Sequence, residues 1–421
     1  MQTSIRFDHQ LLAVEGEHTV HGMLELIAPP SPKKGARQPL RLAIVIDRSG
    51  SMAGPKLHHT KKAAEYLIKR LEATDQVALV AYDDQVTLVS SLGTHSHEEL
   101  VSALYAIPHG GTTNLSGGWL KGIEEAGRAG DGTRKVLLLT DGLANAGITD
   151  HATLVAMAEK ARGDGVSTTT IGFGDGFDER LLTTMAASGG GNSYYVGSPE
   201  DAPGVFGQEF EDIASVVAQN VSVEIRPTDE VKLLGVLNEY PQTQVVGGVQ
   251  VALGDAYGDE NRRILFQLHI PEVAGLGVAK VANVILRYVS VGETIEAHEI
   301  TIPVTVNMVT ADEASKAGPD HEVIEEVLIL KSAKAQQEAR ERAEGDDYDG
   351  AKKLLYDAAS DIRAAVPDSG RADELAKEAD ILDEHVRMIE PGSWNASSAK
   401  AMHYDSMRRN RSRRRPPKEP N

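Results

Sequence analysis

The chain has 421 residues, too many for one compact core and enough for roughly two to four domains. Its apolar fraction of 41% and charged fraction of 25% are those of a folded globular protein and exclude disorder throughout. The absence of cysteine excludes disulfides and thiolate metal sites and suits a reducing compartment. Formal net charge is −19, yet Arg408, Arg409, Arg411, Arg413, Arg414, Arg415 and Lys418 crowd the last segment against Glu419. The rest is therefore more acidic still, a field that repels nucleic acid and draws cations. The basic tail 408–418 is the sole candidate for a nucleic-acid contact, and it lacks interleaved aromatics.

The opening MQTSIRFDHQ has no basic stretch leading into an apolar run, and no segment reaches the ~20 apolar residues of a membrane span. The charged, Pro-rich C-terminus is unlike a lipid-anchor signal. The expectation is a cytoplasmic protein with no membrane contact.

Residues 1–40 alternate apolar and polar side chains at Ile5 and Phe7, Leu12 and Val14, and Val20, Leu24 and Leu26, which predicts half-buried strands. Forty residues of strand cannot bury a core alone. They are therefore expected to complete a β-sandwich formed later in the chain. Residues 41–217 change character. RLAIVI, QVALVAY, QVTLVSS, KVLLLT, VSTTTIGFG and SYYV read as strands. KLHHTKKAAEYLIKRLEA, EELVSALYAI and LSGGWLKGIEEAG read as helices, as do stretches near 150–163, 178–187 and 199–217. Apolar strands alternating with helices predict a doubly wound, mainly parallel sheet.

Residues 218–309 return to period two, in runs such as Val221, Val223 and Ile225 or Ile264, Phe266 and Leu268, and predict the antiparallel sandwich. The fold class is thus multidomain α/β plus β, with the α/β unit inserted in or flanked by the sandwich. Residues 310–395 predict a small helical bundle. Its faces carry Val323, Val327 and Leu330, then Leu354, Leu355, Ala358 and Ile362, then Leu375, Ala379, Leu382, Val386 and Ile389. Residues 396–421 predict a short helix and a basic disordered tail.

The segment AIVIDRSGSM places Asp47, Ser49 and Ser51 at alternate positions directly after a buried strand. Ligands bind at the carboxyl ends of strands in such sheets, and oxygen side chains there suit a hard cation. Taken alone, the triplet reads more readily as a turn or helix cap. GGTTNLSGGW adds Thr112 and Thr113, of which spacing to the next helix favours Thr113, and LLLTDG adds Asp141 at the end of another strand.

Over roughly residues 41–217 this pattern resembles the von Willebrand factor A family and its metal-ion-dependent adhesion site, in which Asp-x-Ser-x-Ser, a loop threonine and a later aspartate occur in this order. The resemblance implies Mg²⁺ or Mn²⁺ held by Asp47, Ser49, Ser51, Thr113 and Asp141, with a carboxylate from a protein partner completing the shell. It implies a protein-binding adaptor and no enzyme. By family analogy alone it adds association with an AAA+ ATPase. A surface or secreted adhesin is the alternative, and a metal-assisted hydrolase a more distant one.

Weaker signals have bland readings. GFGDGF lacks the Lys-Ser/Thr of a phosphate loop and reads as a strand-to-helix turn. GDDYDG reads as a helix cap from Asp347 or Asp349. His58, His59, His95 and His97 read as solvated, His109 as loop surface and Trp119 as core.

Overall fold

The structure is a computed structural model that describes residues 1–30, 37–198, 202–273, 275–291 and 295–414. Three strands come first, β1 (Gln2–Phe7), β2 (Leu11–Ala13) and β3 (His18–Ile27). An α/β unit follows: β4 (Leu40–Asp47), α1 (Pro55–Ile68), β5 (Gln76–Tyr82), β6 (Val86–Gly93), α2 (His97–Ala106), α3 (Leu115–Ala126), β7 (Thr133–Thr140), α4 (His151–Gly163), β8 (Val166–Phe173), α5 (Glu179–Ser188), β9 (Gly190–Val196) and α6 (Ala202–Ala214). Then come β10 (Val216–Pro227), β11 (Lys232–Val236), β12 (Gln242–Val245), β13 (Gly248–Tyr257), β14 (Asn261–Ile270), β15 (Gly277–Val291) and β16 (Ile295–Val309). The chain continues through α7 (Ala311–Lys316), α8 (His321–Glu344), α9 (Tyr348–Ala365), α10 (Ala372–Met388), α11 (Ala396–Asn410) and β17 (Arg413–Arg414). None of these helices is long and apolar enough to cross a membrane.

The α/β sheet runs β6-β5-β4-β7-β8-β9, parallel throughout except for β6. Every residue of β4 is buried, because helices cover both faces of a central parallel strand. Leu57 of α1, Leu100 of α2 and Phe206 of α6 pack on one face. Trp119 of α3, Leu154 of α4 and Leu181 of α5 pack on the other. Polar side chains close the helix starts: Ser96 and Glu99 form a reciprocal cap on α2, while Asn114, Asp150 and Asp178 cap α3, α4 and α5. Asp347 caps α9, Trp119 is fully buried and His109 is exposed.

Two further sheets share one core. One runs β1-β3-β14-β11 and the other β12-β13-β10-β15-β16-β2. Leu24, Phe266 and Leu268 of the first face Val223, Val284, Leu286 and Val304 of the second in one apolar cluster. The N-terminal strands divide between the layers, β1 and β3 in one and β2 in the other. The expectation of purely antiparallel pairing fails at one place, since β2 lies parallel to β16. Three residues of strand held at one edge leave no periodic trace in the sequence.

Helices α8, α9, α10 and α11 share a second apolar cluster. The first half of α8 docks on the outer face of β3 and β14, where Val323, Val327 and Leu330 meet Met23 and Leu265. The arginine-rich end is not a solvated tail as far as Arg414. Arg411 is 8% exposed, and β17 pairs with β14, Arg413 opposite Arg262 and Arg414 opposite Asn261. The cause is charge supplied from afar: Arg414 meets Glu326 at 2.8 Å, and Arg413 meets Glu260 at 3.4 Å. Arg415 and Lys418 lie outside the described residues.

A seam joins the α/β unit to the sheets. The backbones of Gly190 and Gly254 touch there, and a Cβ on Gly254 would sit 2.6 Å from the Gly190 carbonyl oxygen. Beside them Lys135 of β7 is wholly buried, its ammonium 3.5 Å from Asp255 and 3.8 Å from Glu209. Burial opposes its charge, but Tyr257, Glu209 and Asp255 outweigh that penalty and hold its pKa above the usual lysine value.

Candidate metal centre

Adjacent parallel strands β4 and β7 end together, and their ends deliver Asp47 and Asp141 to one rim of the sheet. Asp47 is fully buried. Its carboxylate accepts the Ser49 backbone N–H at 2.8 Å and the Thr140 hydroxyl at 2.6 Å. Burial pushes its pKa up, and those hydrogen bonds offset part of the shift. The chain then turns sharply, so that Ser49 and Ser51 face the same side with their hydroxyl oxygens 3.1 Å apart. The Ser51 hydroxyl donates to Asp141 Oδ1 at 2.8 Å.

Thr113 arrives on the loop before α3. That loop is pinned from several directions. The Gly50 N–H donates to the Gly111 carbonyl at 2.8 Å, the Gly110 N–H to the Arg48 carbonyl at 2.6 Å, and the Thr113 N–H to Asn145 Oδ1 at 2.9 Å. Asp83 at the end of β5 accepts from the Gly111 N–H at 3.1 Å and from Arg48 at 3.1 Å. Burial raises the Asp83 pKa, and the N–H groups of Gln85 and Gly111 together with Arg48 reverse the shift, leaving it below the ordinary value. Thr113 is 3% exposed whereas Thr112 is open to solvent. Gly142 follows Asp141 and keeps the rim open: a Cβ there would lie 3.2 Å from the Thr113 hydroxyl and 3.6 Å from that of Ser51.

All five residues singled out in the sequence therefore converge on one cup. Its donors, three hydroxyls and two carboxylates, have the chemistry of a hard-cation site, and Gly142 leaves a space between them that a side chain would fill. Sequence reasoning missed Lys56, whose ammonium lies 2.5 Å from Asp141 Oδ2, and Asp83, which fixes the threonine loop. Lys56 stands in the first turn of α1 and Asp83 one step beyond β5, so their place beside the strand ends that carry the triplet was the available signal.

A doubly wound sheet with this cup at the ends of its central strands defines a class. Residues 42–208 match the von Willebrand factor type A domain. A protein of Synechocystis sp., the uncharacterised sll0103, is 28% identical over 346 residues, covering 79% of this chain and 81% of that one. The solved von Willebrand factor type A structure from Catenulispora acidiphila superposes with a TM-score of 0.71 at 18% identity, over 96% of each chain. The ArnB paralog VWA2 from Sulfolobus acidocaldarius gives 0.60 at 17% identity, over 93% of this chain and 98% of that one. At such identities the likeness to solved structures is one of fold, and it extends beyond the α/β unit to nearly the whole chain.

Proposed function

We propose that the protein is a metal-dependent protein-binding module, without catalysis of its own, that works in the cytoplasm. Asp47, Ser49, Ser51, Thr113 and Asp141 would hold Mg²⁺ or Mn²⁺, directly or through water. The supporting observation is the convergence of hydroxyl and carboxylate oxygens from three separate loops, with Ser51 bridging Ser49 and Asp141.

The ion supplies Lewis acidity for an Asp or Glu of a protein partner. The chain's own residues do the rest. Asp47, buried beneath the serines, orients the turn through the Ser49 N–H. Asn145 and Asp83 hold the threonine loop so that little ordering remains to be done on binding. Leu143, 53% exposed just past Asp141, offers an apolar flank to the partner. Hydroxyl-rich ligation leaves the ion strongly electron-demanding, whereas hydrolases surround theirs with more carboxylates or histidines to generate hydroxide.

The test is capture from native lysate with Mg²⁺ or with chelator, comparing wild type with Asp47→Ala and Thr113→Ala. Both substitutions should abolish metal-dependent capture and leave the melting temperature within a few degrees. Capture that persists in chelator, or in Asp47→Ala, overturns the reading. Turnover lost in Asp141→Ala but kept in Thr113→Ala would favour a hydrolase instead.

A further inference from the structure

β9, α6, α11 and the end of β13 enclose a cleft of about 690 Å³, within the size range of small-molecule sites. One wall holds Arg411, the residue that follows α11. Its position is fixed from several sides. The Tyr240 hydroxyl donates to the Arg411 carbonyl at 2.6 Å, Asn238 donates to the Asn410 carbonyl at 3.0 Å, and Ser412 takes a left-handed conformation with φ of 41°.

The Arg411 side chain is 8% exposed, yet among the described residues its guanidinium makes a single hydrogen bond, to the Gly191 carbonyl at 3.4 Å. No carboxylate pairs with it among the described residues. Glu260, which also lines the cleft, is already shared between Arg262 at 2.9 Å and Arg413 at 3.4 Å. Burial first, then the charges of Arg413 and Arg262, push Arg411 down to about 10. A buried cation without a counter-ion is costly, and proteins rarely keep one that nothing compensates.

The acids of the cleft have their own partners. Asp212 accepts from Asn192 at 3.0 Å, Gln208 at 2.6 Å and Tyr194 at 3.2 Å. Asp405 lies 3.4 Å from His385. Arg408, exposed at the mouth, makes no close ion pair among the described residues, and its charge acts on Asp405 of the same cleft. The cleft lining also holds Tyr195 and Tyr404, stacked at 5.7 Å between centroids and 21° between planes.

We infer that this cleft is a second, metal-independent binding site for a small organic anion, a carboxylate or phosphate ester on a flat apolar body. The head group would pair with Arg411 and draw on Arg408, and the body would lie against Tyr404 and Val205. The inference does not depend on the metal cup.

The test titrates the full chain, in chelator, with phenyl phosphate, benzoate and neutral benzyl alcohol by calorimetry. At least one of the anions should bind saturably, benzyl alcohol at least tenfold more weakly, and Asp47→Ala should bind as wild type does. Comparison of the two anions shows which head group the site takes. Arg411→Gln should lose tenfold or more in affinity. Should that variant not fold, Arg408→Gln and the cleft-filling Val205→Trp decide: loss of binding in both supports the site, and unchanged binding in both overturns it. Absence of saturable binding by either anion, or equal binding of benzyl alcohol, also overturns it.

Discussion

The cup and the seam are built by opposite strategies. At the cup, every donor lies within a few residues of a strand or helix end, and hydroxyls outnumber carboxylates. The seam instead buries Lys135, Glu209, Asp255, Glu260, Arg262 and Arg411, contributed by β7, α6, β13, the turn after it, β14 and the end of α11. A site made from local turns is preset by short segments and tolerates distant change. A site made from charges drawn from the whole chain exists only once the chain has closed, and it concentrates the penalty for error in a few residues.

Lys135→Met tests that contrast most severely. It removes the ammonium that faces Glu209 and Asp255, both buried. Stability should fall by about 3–5 kcal/mol, the cost of stranding a buried charge. Denaturant unfolding measures it, and a loss under ~1 kcal/mol would mean the seam tolerates change as the cup does.

His403 sharpens the comparison through pH. It lies on α11 near α5, 3.2 Å from the Thr183 hydroxyl, and burial, then Arg340, push its imidazole down to about 4. The unfolded chain binds a proton near pH 6.5 that the folded chain refuses until about pH 4. Stability should therefore decline as pH drops through that window, by about 2 kcal/mol at pH 5. His403→Gln should flatten this part of the profile, and an unchanged slope between pH 7 and 5 would remove the histidine from the account.

The mildest effect is expected at Lys56. Its ammonium is 43% exposed and pairs with Asp141, so it opposes a dication at the same carboxylate. Lys56→Met should tighten Mg²⁺ binding severalfold, read by calorimetry, with little change in stability, since half-exposed ion pairs contribute up to ~1 kcal/mol. Weaker binding would instead make Lys56 a support of the cup.

The same contrast governs what could be read in advance. Asp47, Ser49 and Ser51 stand within five positions after a continuous apolar strand, and Thr113 and Asp141 sit in equally local contexts, so their meeting place was legible. The alternating runs at Val221, Ile264 and Val284 fall on β10, β14 and β15. The edge strands β11 and β12 escaped notice because their side chains are mostly exposed or half-exposed and carry no clean alternation. Arginine density around 408–414 read as a solvated tail, since the glutamates that receive it, Glu260 and Glu326, are far away in sequence. Lys56 and Asp83 act through neighbours that only the folded sheet supplies.

The pairing of β3 with β14 carries a timetable. Leu24 faces Ile264, 240 positions later. At ribosomal speeds of roughly 5–20 residues per second, β3 emerges about 10–50 s before its partner exists. During that wait the entire α/β unit is synthesised and free to fold, while an apolar strand stands with one edge bare. The order of birth thus favours completion of the α/β unit and its cup first, and it makes the nascent N-terminal hairpin the stretch most in need of protection from neighbouring chains.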